Sequence, residues 1–168
     1  MSSSLGVMSN YGILVRDAES PAAEYSRVYN EHCHRIYSLA FWMTDNEVIA
    51  EQLAANVFLQ VFTRSTSPSP ELIDFAFVST VREFATLGDL SLNCSASGSG
   101  IRGNIKRVHL ERAVVQLPAT EKLIFLLHDV EGYDHPKISR LLGMKEKDSQ
   151  YGLHQARVQI RELVSRMQ

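Results

Sequence analysis

The sequence has only two cysteines, Cys33 and Cys94, and no long apolar run. Two cysteines provide neither a disulfide framework nor a set of metal ligands, and they suit a reducing compartment. No stretch approaches the roughly 18 uncharged apolar residues that a membrane span needs, so membrane insertion is not expected. The first residues show neither a basic region nor a long apolar run, so no signal peptide is predicted. We therefore expect a soluble protein of the cytoplasm.

The chain also lacks the residue patterns of an enzyme. It contains no carboxylate pair, nucleophile set or glycine loop of a phosphate-binding site. His32, Cys33 and His34 are adjacent, but neighbouring residues of a helix point in different directions and cannot converge on one ion. We predict no catalytic residue, no metal site and no cofactor.

Charge is distributed unevenly along the 168 residues. Residues 1–103 contain six Lys and Arg against eleven Asp and Glu, a net charge of −5, whereas residues 104–168 contain eleven against eight, a net charge of +3. An acidic front and a basic back indicate different partners for the two halves. Two solvated surfaces without such a role remain an equal alternative.

Apolar residues recur at helical spacing along most of the chain, and no segment alternates as a strand would. Ser20-Pro21 and Ser69-Pro70 are typical of helix starts, and the spacing from Thr44 to Glu47 predicts a capping box at another. The fold class is therefore predicted to be all-α, with two small helical bundles joined by a flexible linker. The predicted organisation is a flexible tail over 1–19, a helical domain over 20–87, a linker over 88–103 and a second helical domain over 104–168.

The second domain has the pattern of a helix-turn-helix. Asp134 can cap a short helix that Gly143 closes, and a longer helix follows from about Glu146 to Val164. In such a motif the second helix enters the major groove of DNA. An ordinary helical hairpin with charged residues outside fits the same spacing. The candidate DNA contacts on this motif are Lys145, Lys147 and Arg157 for phosphates, Gln150 and Tyr151 for base edges, and His154.

One segment of the second domain has a pattern typical of a known family. It runs from Leu117-Pro118 through Phe125-Leu126-Leu127-His128-Asp129-Val130-Glu131-Gly132-Tyr133 to Leu153-His154-Gln155-Ala156-Arg157. It is similar to region four of the extracytoplasmic-function group of bacterial RNA polymerase sigma factors. Residues 29–62 resemble region two of the same group. The resemblance implies that region two binds the coiled coil of the polymerase β′ clamp and opens the minus-ten promoter element. It implies that region four binds the minus-thirty-five element and the β flap, and it adds an anti-sigma factor as a further partner.

The sequence departs from this family at functional positions. The clamp-binding helix usually reads Asp-Ala-Glu-Asp-Leu-Val-Gln-Glu, whereas residues 49–56 read Ile-Ala-Glu-Gln-Leu-Ala-Ala-Asn and keep only Glu51 of the carboxylates. On the third helix the usual tryptophan is missing, which leaves Phe77, or Phe75, and Arg82 as candidate DNA contacts. The candidate polymerase contacts are Glu51, Gln52, Ala55, Asn56 and Leu59.

Two functions follow from these patterns. The first is a sigma factor that binds core RNA polymerase and promoter DNA and directs initiation. The second is a degenerate sigma-like interaction protein that binds a transcription regulator or anti-sigma factor without opening promoter DNA. Binding to duplex DNA with a steep dependence on salt favours the first.

Overall fold

The computed structural model describes residues 20–86 and 105–167, and within these ranges the regular structure is entirely helical. The front bundle consists of α1 (Pro21–Thr44), α2 (Glu47–Arg64) and α3 (Pro70–Thr86). The rear bundle consists of α4 (Ile105–Val115), α5 (Ala119–Phe125), α6 (His135–Leu142) and α7 (Glu146–Arg166), and α5 continues directly into a π-helical turn over Leu126–Val130. The all-α prediction is confirmed, while the predicted tail (1–19) and the predicted linker (88–103) lie outside the described residues.

The turn between α1 and α2 does not contain the predicted capping box. Asp45 adopts a left-handed conformation with φ 50°, so α1 runs through Thr44. The Thr44 hydroxyl donates back to the carbonyl of Ala40 at 2.9 Å. Asn46, whose backbone is extended, caps α2 by accepting from the backbone N–H of Ile49 at 3.1 Å. The prediction was wrong because the chain reverses one residue after Thr44, which leaves Asn46 as the residue with cap geometry.

The core of the front bundle is built from apolar residues at steps of three and four. Leu53, Val57 and Val61 of α2 are completely buried, as expected from their spacing. Aromatic pairs close the end of the bundle between α1 and α2, with ring centroids 4.7 Å apart for Tyr25 and Phe62. These contacts fix the rotation of α2 and therefore decide which of its residues face outward.

The rear bundle relies on one glycine for its packing. Gly152 lies inside α7 and is buried, and a Cβ atom at this position would lie 2.5 Å from Cδ1 of Ile124 on α5. Ile124 is itself almost completely buried. A helix-internal glycine usually destabilises a helix by about 1 kcal/mol relative to alanine, but here it allows α7 to lie closely against α5.

The two bundles share one continuous hydrophobic core rather than standing apart. Lys122 of α5 lies between them and is only 1% exposed. Its Nζ donates to the carbonyl oxygens of Val115, at the end of α4, and of Met43, near the end of α1, at 2.7 and 3.4 Å. The carbonyl end of a helix carries partial negative charge, so the ends of α1 and α4 both attract the Lys122 ammonium group. The buried lysine therefore joins a front helix to two rear ones.

Candidate nucleic-acid interface

Helices α6 and α7 form the predicted helix-turn-helix. Asp134 caps α6 by accepting from the backbone N–H of Lys137 at 2.9 Å. Gly143 ends α6 in the left-handed conformation, with φ 62°. This conformation costs glycine no steric strain, so the chain turns tightly into α7. Both local signals that the sequence offered for this motif are thus present as expected.

The outer face of α7 and the turn before it carry the candidate DNA contacts. Positions three and four apart share one face of a helix, so Lys147, Gln150, Tyr151 and His154 lie together. Tyr151 is 66% exposed. The amide Nε2 of Gln150 donates to Glu146 at 3.3 Å. The candidate DNA contacts on this surface that are exposed are Lys145, Lys147, Gln150, Tyr151, His154 and Arg157.

Arg157 is held by a carboxylate at the far end of this face. Its guanidinium donates to both oxygens of Asp129 at 3.1 and 2.6 Å. Burial raises the pKa of Asp129, but the hydrogen bonds from Arg157 and from His128 outweigh it and hold the pKa below its ordinary value. A DNA phosphate must therefore compete with Asp129 for this arginine.

Beneath the exposed face, side chains lock α6 to α7. The Nδ1 atom of His135 lies 3.0 Å from the hydroxyl of Ser149, which is completely buried. The His135 ring also stacks on His128, with centroids 4.8 Å apart. Next to them lies an open groove of about 620 Å³, whose lining includes Leu110, Phe125 and His154. The exposed face of α7 thus lies above packed side chains and beside a partly apolar groove.

The candidate polymerase contacts occupy the outer face of α2. Leu59 is 64% exposed, and Val48 extends the same face with an exposure of 62%. Among the predicted residues only Glu51 carries a charge. The predicted contacts that lie exposed on this helix are Glu51, Gln52, Ala55, Asn56 and Leu59. Their role in polymerase binding stays a prediction.

The two candidate DNA contacts on α3 are placed differently from those on α7. Phe77 is only 1% exposed within the core, so a base could stack on it only if the core opened. Phe75, on the same helix, is 39% exposed. Arg82 donates from its guanidinium to the carbonyl oxygen of Leu142 in the rear bundle. In this arrangement Phe77 is unavailable to DNA and Arg82 is partly engaged.

Sequence reasoning missed a polar cluster between the bundles, which we call the inter-bundle latch (Arg35, Asp74, Glu131, Tyr133 and Lys137). Asp74 of α3 is 3% exposed and accepts from Arg35 at 2.9 Å and from the Tyr133 hydroxyl at 2.8 Å. Its second oxygen lies 3.1 Å from Nζ of Lys137. Arg35 also donates to Glu131 at 2.9 Å. An acid between two apolar residues of α3 was the only sequence signal of this latch.

The latch shifts the titration of its members. Burial raises the pKa of Tyr133, and the hydrogen bond to Asp74 adds to this. Burial lowers the pKa of Lys137, but its hydrogen bonds to Asp74 and Tyr133 outweigh burial and raise the pKa overall. The Lys137 Nζ also lies 3.3 Å from the centre of the Tyr133 ring. A neutral tyrosine and a charged lysine are therefore the forms that suit this contact between the bundles.

Other kinds of site receive no support from residues 20–86 and 105–167. Within these residues no group of three or more His, Cys, Asp or Glu side chains is arranged to hold a metal ion. Over the same part of the chain, every helix is too short or too polar to cross a bilayer.

A comparison with known proteins finds a family match within the rear bundle. Residues 107–160 match the family described as sigma-70, region 4. A structure with a similar fold is that of the sigma factor RpoE from Bartonella quintana, solved in complex with the anti-sigma factor NepR. The TM-score is 0.68 at 14% sequence identity, over 84% of this chain and 97% of that chain. No curated protein sequence matches. The family match confirms the resemblance to region four that the sequence predicted for the rear domain, and the similar structure shows a shared fold.

Proposed function

Because this chain resembles the extracytoplasmic-function group of bacterial sigma factors, we propose that it is a sigma factor. It binds core RNA polymerase and promoter DNA and directs promoter-specific initiation. It acts by binding rather than by catalysis, and its place of action is the cytoplasm. The β′ clamp is the partner of the front bundle, and the β flap and the minus-thirty-five element are the partners of the rear bundle.

The exposed face of α7 carries this proposal furthest. A helix that follows a tight turn, with Lys145 and Lys147 at its start and Gln150 and Tyr151 beside them, matches the side chains that major-groove recognition requires. Lysines neutralise phosphates, and an amide reads base edges. The net charge of +3 over residues 104–168 favours approach to DNA.

The face of α2 provides the test of polymerase binding. If it contacts the clamp, restoring the carboxylates that the family carries should strengthen the complex. We expect the variants Gln52→Asp and Asn56→Glu to bind core polymerase up to about fivefold more tightly each, since an exposed ion pair contributes up to about 1 kcal/mol. Binding is measured by titrating labelled full-length chain with core enzyme.

The matched control is Asn30→Asp, which adds the same charge at an exposed position of α1. This control should leave polymerase binding unchanged. Equal affinity of all variants and the wild type would refute the assignment of α2 as the clamp-binding face, and absence of any binding would refute the sigma-factor function.

A second function is favoured by the groove beside α7. Apolar side chains of Leu110, Phe125 and Ile160 line it, and Arg157 and Arg161 contribute positive charge. This combination suits an amphipathic helix with an acidic edge better than it suits a nucleic-acid backbone. An anti-sigma factor or another regulator would bind there, and the chain would then act as an interaction protein without opening DNA.

A duplex titration separates the two functions. A labelled 40-base-pair duplex is titrated with the full chain at several salt concentrations. The sigma-factor function predicts an affinity that falls steeply with salt. For each phosphate contact, the logarithm of the binding constant falls by about 0.9 per tenfold rise in salt concentration. The interaction-protein function predicts weak binding with little dependence on salt.

A further inference from the structure

The inter-bundle latch concentrates buried charge where the two bundles meet. Asp74 comes from the front bundle, and its carboxylate is satisfied by Arg35 of its own bundle and by Tyr133 and Lys137 of the rear bundle. An almost completely buried carboxylate is stable only while such partners remain in place. Separation of the bundles would take away two of the three partners.

A second set of contacts holds the same interface closed. Arg35 donates from one guanidinium nitrogen to Glu131 at 2.9 Å and to the Tyr133 hydroxyl at 3.2 Å. Arg82 donates to the carbonyl oxygen of Leu142, at the end of α6. The contact between the bundles thus adds polar, directional bonds to the hydrophobic core that they share.

The closed arrangement is too short to occupy a promoter as a sigma factor does. Elements centred near minus ten and minus thirty-five lie about 25 base pairs apart, which is roughly 85 Å at 3.4 Å per base pair. A compact chain of this length has a radius of gyration of about 15 Å and is roughly 40 Å across. The front and rear bundles must therefore move apart before each can contact its own element.

From these contacts we propose that the inter-bundle latch is an autoinhibitory device, centred on Asp74, that holds the chain closed and keeps one guanidinium nitrogen of Arg82 engaged with the rear bundle. Opening exchanges the contacts of Asp74 for water and frees Arg82 to contact phosphate. The part of this proposal that concerns DNA rests on the proposed function, whereas the closure itself does not.

The test uses the full chain and the variant Asp74→Asn, which keeps the size of the side chain and removes its charge. Small-angle X-ray scattering should show that the radius of gyration rises by roughly 5 Å, as expected for two bundles that separate. The matched control is Glu71→Gln, which removes one charge from an exposed position of the same helix. This control should keep the wild-type radius. Circular dichroism confirms that each variant retains its helices.

The variant Tyr133→Phe covers the case in which Asp74→Asn fails to fold. It removes only the hydroxyl that joins Asp74 and Arg35. We expect a smaller rise in radius and unchanged helix content. Wild-type radii for both variants, with helices intact, would overturn the latch.

Duplex titrations of the same variants test the inhibitory role. Asp74→Asn should bind a 40-base-pair duplex with a salt slope steeper than that of Glu71→Gln by about one phosphate contact. An expanded variant with an unchanged slope would overturn the autoinhibitory role. If the wild type and every variant fail to bind DNA and core polymerase, the proposed function is wrong, and the scattering result still decides whether the latch closes the chain.

Discussion

The front and rear bundles both have a buried apolar core, but they differ on the outside. Leu53 in one and Ile138 in the other are completely buried, and the helices around them have the spacing that their sequences predict. The candidate face of α2 is nearly uncharged, whereas that of α7 is rich in cations. Buried positions therefore determine the fold, while exposed positions decide which partners the chain can bind. Substitutions on the two sides of one helix can separate these roles.

The largest effect is expected from Leu53→Asp. It places an unpaired charge in the core of the front bundle, so the free energy of unfolding should fall by at least about 3 kcal/mol. Leu59→Asp makes the same change on the exposed face of α2 and should leave stability within about 0.5 kcal/mol of the wild type. Chemical denaturation measures both. Similar losses in the two variants would contradict the division of α2 into a core side and a partner side.

A smaller effect is expected at Gly152, where the rear bundle depends on close packing. Alanine gains about 1 kcal/mol of helix propensity, but its Cβ would press against Cδ1 of the buried Ile124. We expect Gly152→Ala to destabilise the chain by about 1 kcal/mol, since overpacking costs about 1–3 kcal/mol. In an Ile124→Val background, which lacks that methyl group, the same substitution should become neutral or stabilising. Additive effects in this double-mutant cycle would show that the two residues do not touch.

Lys147→Ala tests the outer face of the rear bundle. As a phosphate contact, Lys147 should contribute almost equally on every duplex sequence. Its removal should make the slope of log binding constant against log salt concentration shallower by about 0.9, and it should weaken binding a few-fold. Thermal stability should not change, because this side chain is exposed. An effect confined to one base position would identify a base contact instead.

The smallest effect is a loss of closure at alkaline pH. The pKa values of Tyr133 and Lys137 are raised above their ordinary values of 10.0 and 10.5. The stability contributed by their protonated forms is complete below those ordinary values and is lost as pH rises through the raised ones. Above about pH 10 the radius of gyration should therefore increase. Tyr133→Phe should reduce this dependence, and an identical pH profile in that variant would remove Tyr133 from the explanation.

Local features of the fold could be predicted from the sequence. Asp134 and Gly143 bound α6 because a cap and a left-handed glycine act on neighbouring backbone groups, so their signals are contained within a few residues. The N-cap of α2 was mispredicted by two residues, because three polar residues in succession, Thr44 to Asn46, offered competing caps and only the chain reversal at Asp45 decides between them.

The latch and the packing at Gly152 could not be predicted in this way. Arg35 and Glu131 are 96 positions apart, and no local pattern joins them. Phe77 was expected to meet DNA from its alignment with the family, but spacing alone does not distinguish the buried side of α3 from its exposed side when both carry phenylalanine. These features arise from how the bundles meet, which depends on tertiary contacts.

The most direct test of the sigma-factor function is transcription by reconstituted enzyme. Core RNA polymerase from the source organism is combined with the full chain and a library of its genomic fragments, and the 5′ ends of the transcripts are sequenced. The sigma-factor function predicts transcripts that depend on this chain and that start downstream of a shared pair of sequence elements. It also predicts their loss in Lys145→Ala/Lys147→Ala. The same transcripts with and without the chain, while core polymerase remains active with another sigma factor, would contradict it.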